Sequence, residues 1–402
     1  MRELTPQPGR IHFLDNMRMF AVVSVVALHA AIVYAPVVPW WYVLDGNKNA
    51  VFDIILVATD GYVMPTLFFI AGYFALSSLR RQGAGAFLAA KLKRLGLPLV
   101  VLTLCTCPII SYVIYRGQGG SESYWRYWLG LLPTAVDWQY RPLLPEAMAR
   151  AILPFHLWFL GLLLLFCGLL AVARLVVPGR ERGRPDAASG PGLGLFAWLA
   201  LAVGLAEAVA QVLVPDIAWF AFGPFLLWQP ARLPLYLGMF LLGSYAWDRG
   251  WFRAHQVYGK TWLWGVAALL AFLFMAGIGG SLATRHSGLL LAAYGLARTF
   301  FAVAVLFLLA GFGQRRWNRP GGVSGSLSVA SYDIYLAHFP LVIVLGYLLA
   351  GNDRTALLKF SIVFFGSLGV CWGASRIVRP LRLTWLAALL VGGVALCLMP
   401  WR

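Results

Sequence analysis

Acidic side chains are scarce: Asp and Glu together number 15 in 402 residues, and all charged residues make up 12%, against roughly one quarter in a soluble domain. That shortage excludes an ordinary water-soluble globule, and 61% hydrophobic content with 17 Trp and 26 Phe points to lipid as the solvent. Cysteine is also sparse. The five, Cys105, Cys107, Cys167, Cys371 and Cys397, all fall in apolar runs at spacings that make neither a disulfide framework nor a zinc site. They read as small buried hydrophobes, and no metal site is expected. Basic residues are plentiful, with a formal net charge of +17. They sit in short connections between apolar runs and form no continuous face for phosphates, which excludes nucleic acid as a partner.

What is present is a series of apolar runs, most of them near the ~20 residues that cross a bilayer. They cover about 13–34, 51–79, 95–115, 155–177, 193–214, 233–247, 261–280, 289–312, 329–350 and 357–377, with 383–400 as a possible extra span. The expected fold class is all-α, a polytopic transmembrane bundle of 10–11 spans forming one membrane-embedded domain over 1–402. The first run is too long for the core of a cleaved leader and is expected to stay as a helix. No internal repeat is evident. The connection 116–154 carries Trp125, Trp128 and Trp138 and is expected to be an ordered aromatic cap, whereas 179–192, GRERGRPDAASGPG, reads as a mobile linker. Lys and Arg are about twice as frequent on the connections that share a side with the N-terminus, which puts that terminus in the cytoplasm.

The chemistry centres on the first run, FLDNMRMFAVVSVVALHAAIVY. Arg18 and His29 stand eleven positions apart, close to three helical turns, so both side chains leave one face, roughly 16 Å apart along the axis. The arginine lies near a membrane surface and the imidazole deep in the span, where a general base facing a cavity is the functional reading and a passively buried histidine the plain one. Asp60 in the second run lies at a depth comparable to that of His29 and is a candidate to orient its ring. Gly72, beside Ala71, allows close helix approach. Lys91 and Arg94 in KLKRLGLP are spaced i, i+3 at the cytoplasmic start of the third run and suit a polyanion. PFHLWFL places His156 and Trp158 beneath the aromatic cap, where an indole serves as a membrane-interface anchor or a sugar platform. SYDIYLAHFP adds Tyr332 and Asp333 in the inner half and His338 near mid-membrane. Glu207 and Arg298 are further intramembrane charges without an assigned role.

These motifs, with LFFIAGYF and RLPLYLGMFLLGSYA, occur in one order from about residue 11 to 380, and in that order the chain resembles the acyltransferase 3 family of integral membrane acyltransferases. The resemblance is to the branch of the succinyltransferase of periplasmic glucans. It implies transfer of an acyl group, acetyl or succinyl, from cytoplasmic acyl-CoA to a hydroxyl of a glycan or related acceptor on the extracytoplasmic side of a bacterial inner membrane. Acyl-CoA would then be a co-substrate, with no bound cofactor. By the same resemblance His29 is the catalytic histidine, and Arg18, Lys91 and Arg94 surround the donor's phosphates. The chain departs from the family pattern at Ala71, where Ser is common, and at Val63, where Arg is. A transporter or flippase of an anionic or lipid-linked substrate would use the same buried charges as a pathway, and the absence of inverted repeats counts against it.

Overall fold

The computed structural model describes residues 11–38, 41–143, 145–176, 193–216, 218–252, 259–282, 287–319, 321–381, 383 and 385–399. The linker read at 179–192 lies outside the described residues.

Helices dominate because a backbone in lipid must satisfy its own N–H and C=O groups. In chain order they are α1 (His12–Ala31), α2 (Val51–Gln82), α3 (Ala84–Lys91), α4 (Leu97–Cys105), α5 (Cys107–Gly117), α6 (Tyr124–Leu131), α7 (Trp158–Val176), α8 (Leu193–Leu213), α9 (Leu233–Asp248), α10 (Thr261–Leu282), α11 (Gly288–Arg316), α12 (Gly322–Leu349), α13 (Ala356–Val378) and α14 (Trp385–Leu398). Among the described residues nine helical stretches are long and apolar enough to span a membrane. Two of the predicted runs are shorter helices, the 16 residues of α9 and the 14 of α14. One stretch, Ala84–Gly117, joins α3, α4 and α5 through a π-helical turn at Leu92–Gly96. Lys91 and Arg94 therefore ride on a continuous helix that begins about ten residues before the third run read from the sequence.

The ends meet as an alternating path through a bilayer requires. Asn16 at the start of α1 donates to the Trp317 carbonyl just past α11 (2.7 Å), and Arg80 and Asp248 pair across the ends of α2 and α9. On the opposite face, Asn47 in the α1–α2 connection donates to the Arg354 carbonyl between α12 and α13 (3.1 Å). On that face also lies a small antiparallel sheet, β1 (Tyr140–Leu143), β2 (Trp219–Phe222) and β3 (Leu226–Trp228), in the order β1-β2-β3. It stitches the 116–154 connection to the one before α9. With α6 and short 3-10 turns, the sheet gives that connection the ordered form its aromatic content predicts.

Two helices organise the core. α12, buried along most of its length, packs against α1, α13, α14 and α5, and α2 packs against α9, α1 and α11. The α2–α9 crossing is backbone on backbone: a Cβ on Gly72 would lie 1.9 Å from the Phe240 oxygen, and one on Gly243 would lie 2.0 Å from the Phe69 oxygen. Ser244 Oγ then donates to the Gly72 carbonyl at 3.1 Å. Gly72 thus does what small residues do between membrane helices.

Candidate active site

Both members of the Arg18–His29 pair turn toward α12. The Arg18 guanidinium donates to Ser331 Oγ (3.1 Å) and to the Ser328 carbonyl (3.3 Å), and it pairs with Asp15 one turn back (3.1 Å). Further along, His29 Nδ1 meets His338 Nε2 at 3.0 Å. His338 is fully buried, whereas His29 keeps part of its surface accessible. The protons can be assigned from the partners. His338 Nδ1 faces the carbonyls of Ile334 (3.1 Å) and Tyr335 (2.8 Å), which only accept, so it carries the hydrogen. In neutral His338 the Nε2 atom is then an acceptor, and His29 must donate to it from Nδ1. His29 Nε2 is left with a lone pair. A base oriented by a buried hydrogen-bond partner is the arrangement that proton abstraction requires.

The third histidine enters through a proline. Pro340 lies inside α12 and has no N–H, so the Leu336 carbonyl four residues earlier loses its helical donor. His156 Nε2 takes that place at 3.1 Å, and Tyr335 Oη donates back to the His156 carbonyl at 2.5 Å. The His156 and His338 rings are 5.3 Å apart and edge-on, and Phe339 touches both His29 (4.3 Å) and His156 (5.2 Å). His156, which the sequence places beneath the aromatic cap, is buried within the histidine cluster. Three imidazoles crowd one phenyl ring, yet among the described residues no three His, Cys, Asp or Glu side chains are disposed to share a metal ion.

A strap from the α1–α2 connection covers this cluster. Trp41 lies parallel to His29 (6.5 Å) and stacks on Tyr42 (4.2 Å), which in turn meets Phe155 and Phe339. The strap is pinned by Lys48 Nζ on the Val33 carbonyl (2.8 Å) and by a buried Asp45–Lys359 ion pair (2.8 Å). Burial raises the Tyr42 phenol above its ordinary range and so keeps it protonated. Burial also lowers the Lys48 ammonium, with Asp45 and Asp53 opposing that shift.

The remaining expected residues fall into two groups. Arg94 stacks over Tyr332 (5.6 Å), whose hydroxyl donates to the Arg94 carbonyl (2.6 Å). Asp333, on the next position, accepts from Ser375 (2.5 Å), and Lys91 lies over Phe87 (5.3 Å). Arg94, Tyr332 and Asp333 gather around the N-terminal half of α12 with Arg18, and Lys91 lies one turn before Arg94 on the same helix. Trp158 packs on Phe68, Trp219 and Tyr236, joining α7 to α2, the sheet and α9.

Asp60 does not reach His29. Both of its oxygens accept from Arg232 Nη1 at 2.7 Å, and Arg232 also holds Asp216 (2.9 Å). Asp216 in turn accepts from Arg298 (2.8 Å), which binds Glu207 (2.6 Å), and Glu207 accepts from Thr299 (2.5 Å). The partner that orients His29 is His338. Nothing in the sequence near Asp216 or Arg232 marks them as members of this chain of charges, because its members meet from three helices, a 3-10 turn and a loop.

The chain matches the acyltransferase domain of the acyltransferase 3 type over residues 11–376. No curated protein and no solved structure matches it.

Proposed function

The chain belongs to the acyltransferase 3 family of membrane acyltransferases, and from that premise we propose that it moves an acetyl or succinyl group from acyl-CoA on the N-terminal, cytoplasmic face to a hydroxyl of a glycan or related acceptor reaching the site from the other face. The observation that carries this reading is the lone pair on His29 Nε2, fixed by the hydrogen bond from His29 Nδ1 to His338 Nε2.

The residues divide the reaction among them. Arg18, Lys91 and Arg94 attract the phosphates of the donor, and the flexible arm carries the thioester inward along α12. His29 Nε2 takes the proton of the acceptor hydroxyl as its oxygen attacks the thioester carbonyl. The tetrahedral intermediate collapses with cleavage of the carbon–sulfur bond, and the departing coenzyme A thiolate takes the proton back from His29, leaving ester and free thiol. In the interval His29 is an imidazolium. Its Nδ1–H is already directed at a neutral acceptor, and Phe339 presents a ring 4.3 Å from the imidazole that favours a cation. Trp158 and the aromatic cap supply flat apolar surface of the kind sugar rings stack on, which supports a glycan as acceptor.

The test is release of free coenzyme A by the purified full-length protein given acetyl- or succinyl-CoA and a periplasmic glucan. Loss of release in His29→Ala, with an unchanged melting temperature, is the expected result. Equal release by that variant would remove His29 from the chemistry.

A further inference from the structure

A cavity of about 310 Å³ opens on the N-terminal face between the start of α1 and the first turns of α12. His12, Asp15, Arg319, Gly325, Ser326 and Ser328 are among its lining residues. The 28-residue helix α12 begins here without a side-chain cap, because Ser324, the nearest hydroxyl, donates to the Gly321 carbonyl (3.0 Å) and covers no N–H. Helix first-turn N–H groups have no intrahelical partner, and the helix dipole makes them a positive pole. Gly321 and Gly325 are not demanded by packing, since a Cβ on either would meet nothing within 4 Å. They leave the backbone bare toward the cavity. Ser328 is the independent sign of a ligand: it is 3% exposed, lines the cavity, and its Oγ has no hydrogen-bond partner. Ser326 Oγ accepts from the Trp372 indole (3.1 Å), so its own proton remains as a donor. Arg319 adds a cationic group at the rim, and the one carboxylate, Asp15, is paired with Arg18.

We propose that this cavity is an anion subsite for the phosphate monoester of the donor, the ribose 3′-phosphate at the end of coenzyme A farthest from the thioester. The inference rests on the acyl-CoA reading above. Ser328 and His338 are ten residues apart on α12, about 15 Å along the axis, so a phosphate held here leaves the extended arm to reach toward the histidine pair. Backbone N–H groups, two serine hydroxyls and an arginine form the donor set that phosphate oxygens take at helix N-termini.

The experiment measures binding of coenzyme A and of 3′-dephospho-coenzyme A to the full-length protein in nanodiscs, for wild type, Gly325→Asp and Gly325→Asn. Both side chains have room, and an acidic residue in a helix's first turn is favourable, so the folds survive, as thermal melting will verify. The wild type is expected to prefer coenzyme A by about tenfold, the worth of one charge-assisted hydrogen bond. Gly325→Asp is expected to abolish that preference through lost coenzyme A affinity, and the same-sized neutral Gly325→Asn to lose far less. Unchanged preference in Gly325→Asp overturns the subsite while leaving the acyl-CoA reading intact, and so does equal weakening of both ligands. A wild type that binds neither ligand overturns both. Competition by phosphatidylglycerol in the nanodisc that disappears in Gly325→Asp would assign the cavity to a lipid headgroup phosphate and overturn the proposal.

Discussion

Replacing His338 separates a base that is merely present from one that is held ready. In His338→Ala the Nδ1–H of His29 loses its acceptor, and the ring is free to place its proton on Nε2, the atom that must take one. A buried neutral hydrogen bond contributes about 1 kcal/mol net, and one to a charged group about 1.5–3. His29 is neutral before proton abstraction and charged during it, so the loss falls mainly on the transition state. The difference, about 0.5–2 kcal/mol, corresponds to a roughly 2- to 30-fold fall in kcat. Donor KM should stay within about twofold, since the donor's phosphates bind elsewhere. His338→Gln is the discriminating variant: its side-chain oxygen can accept from His29 Nδ1 and should restore much of kcat, which a role in packing alone would not predict. The assay is steady-state thiol release across pH, with thermal melting as the control for folding. His338 acts here as a positioning residue, and that reasoning is refuted if kcat is unchanged in His338→Ala, or if Ala and Gln variants lose kcat equally while melting like the wild type.

Two further outcomes follow from the fold. In Gly72→Ala the new methyl meets a backbone oxygen that no rotamer change can move, so the loss should exceed the ~1–3 kcal/mol of ordinary overpacking and appear as a large drop in melting temperature. Gly277→Ala, where a Cβ meets nothing within 4 Å, should melt like the wild type. Asp216 gives a pH signature. Burial alone would raise its carboxyl, but the guanidinium groups of Arg232 and Arg298 outweigh burial and hold it well below the usual carboxylate range. A depressed folded value means that the contribution of Asp216 to stability is complete above about pH 4 and declines as pH falls toward the folded value. Melting curves from pH 7 to 3 should show a gap between wild type and Asp216→Asn that is widest at neutral pH and narrows below about 4. A gap that widens on acidification would contradict the assignment.

The sequence reveals depth well and direction around a helix only within one element. Arg18 and His29 share a helix, so their common face follows from periodicity, and both indeed turn to α12. Asp60 was matched to His29 by depth alone. Tyr62, two positions on, faces α1, where its hydroxyl hydrogen-bonds Ser24 at 2.9 Å. At about 100° per residue Asp60 points some 200° away from that contact, toward α9 and Arg232. The sheet was illegible for a different reason. Its strands are four residues or fewer, come from connections about eighty residues apart, and are rich in aromatics that a membrane interface would also favour. The π turn at Leu92–Gly96 is not legible either, since Leu, Lys and Arg are ordinary helix formers. The proline in SYDIYLAHFP leaves a gap in the backbone ladder, and what fills it, a histidine from another span, does not show in that motif.

The use of an imidazole where a hydrolase triad has a carboxylate follows from the same energetics. An ionised acid in the hydrocarbon region must be neutralised by a cation, and here Asp60 and Glu207 are engaged by Arg232 and Arg298, which Asp216 in the loop after α8 bridges. Asp60, so engaged, is directed at Arg232 and not at His29. His338 avoids the difficulty because it is polar without a standing charge. Its Nδ1–H rests on carbonyls of its own helix, and its Nε2 offers an acceptor that becomes most valuable only when His29 takes a proton. The charged network and the histidine cluster thus occupy different elements, α2, α8, α11 and the turn before α9 for the first and α1, α12 and the turn before α7 for the second. The bundle can carry permanent charge for stability in one half and transient charge for chemistry in the other.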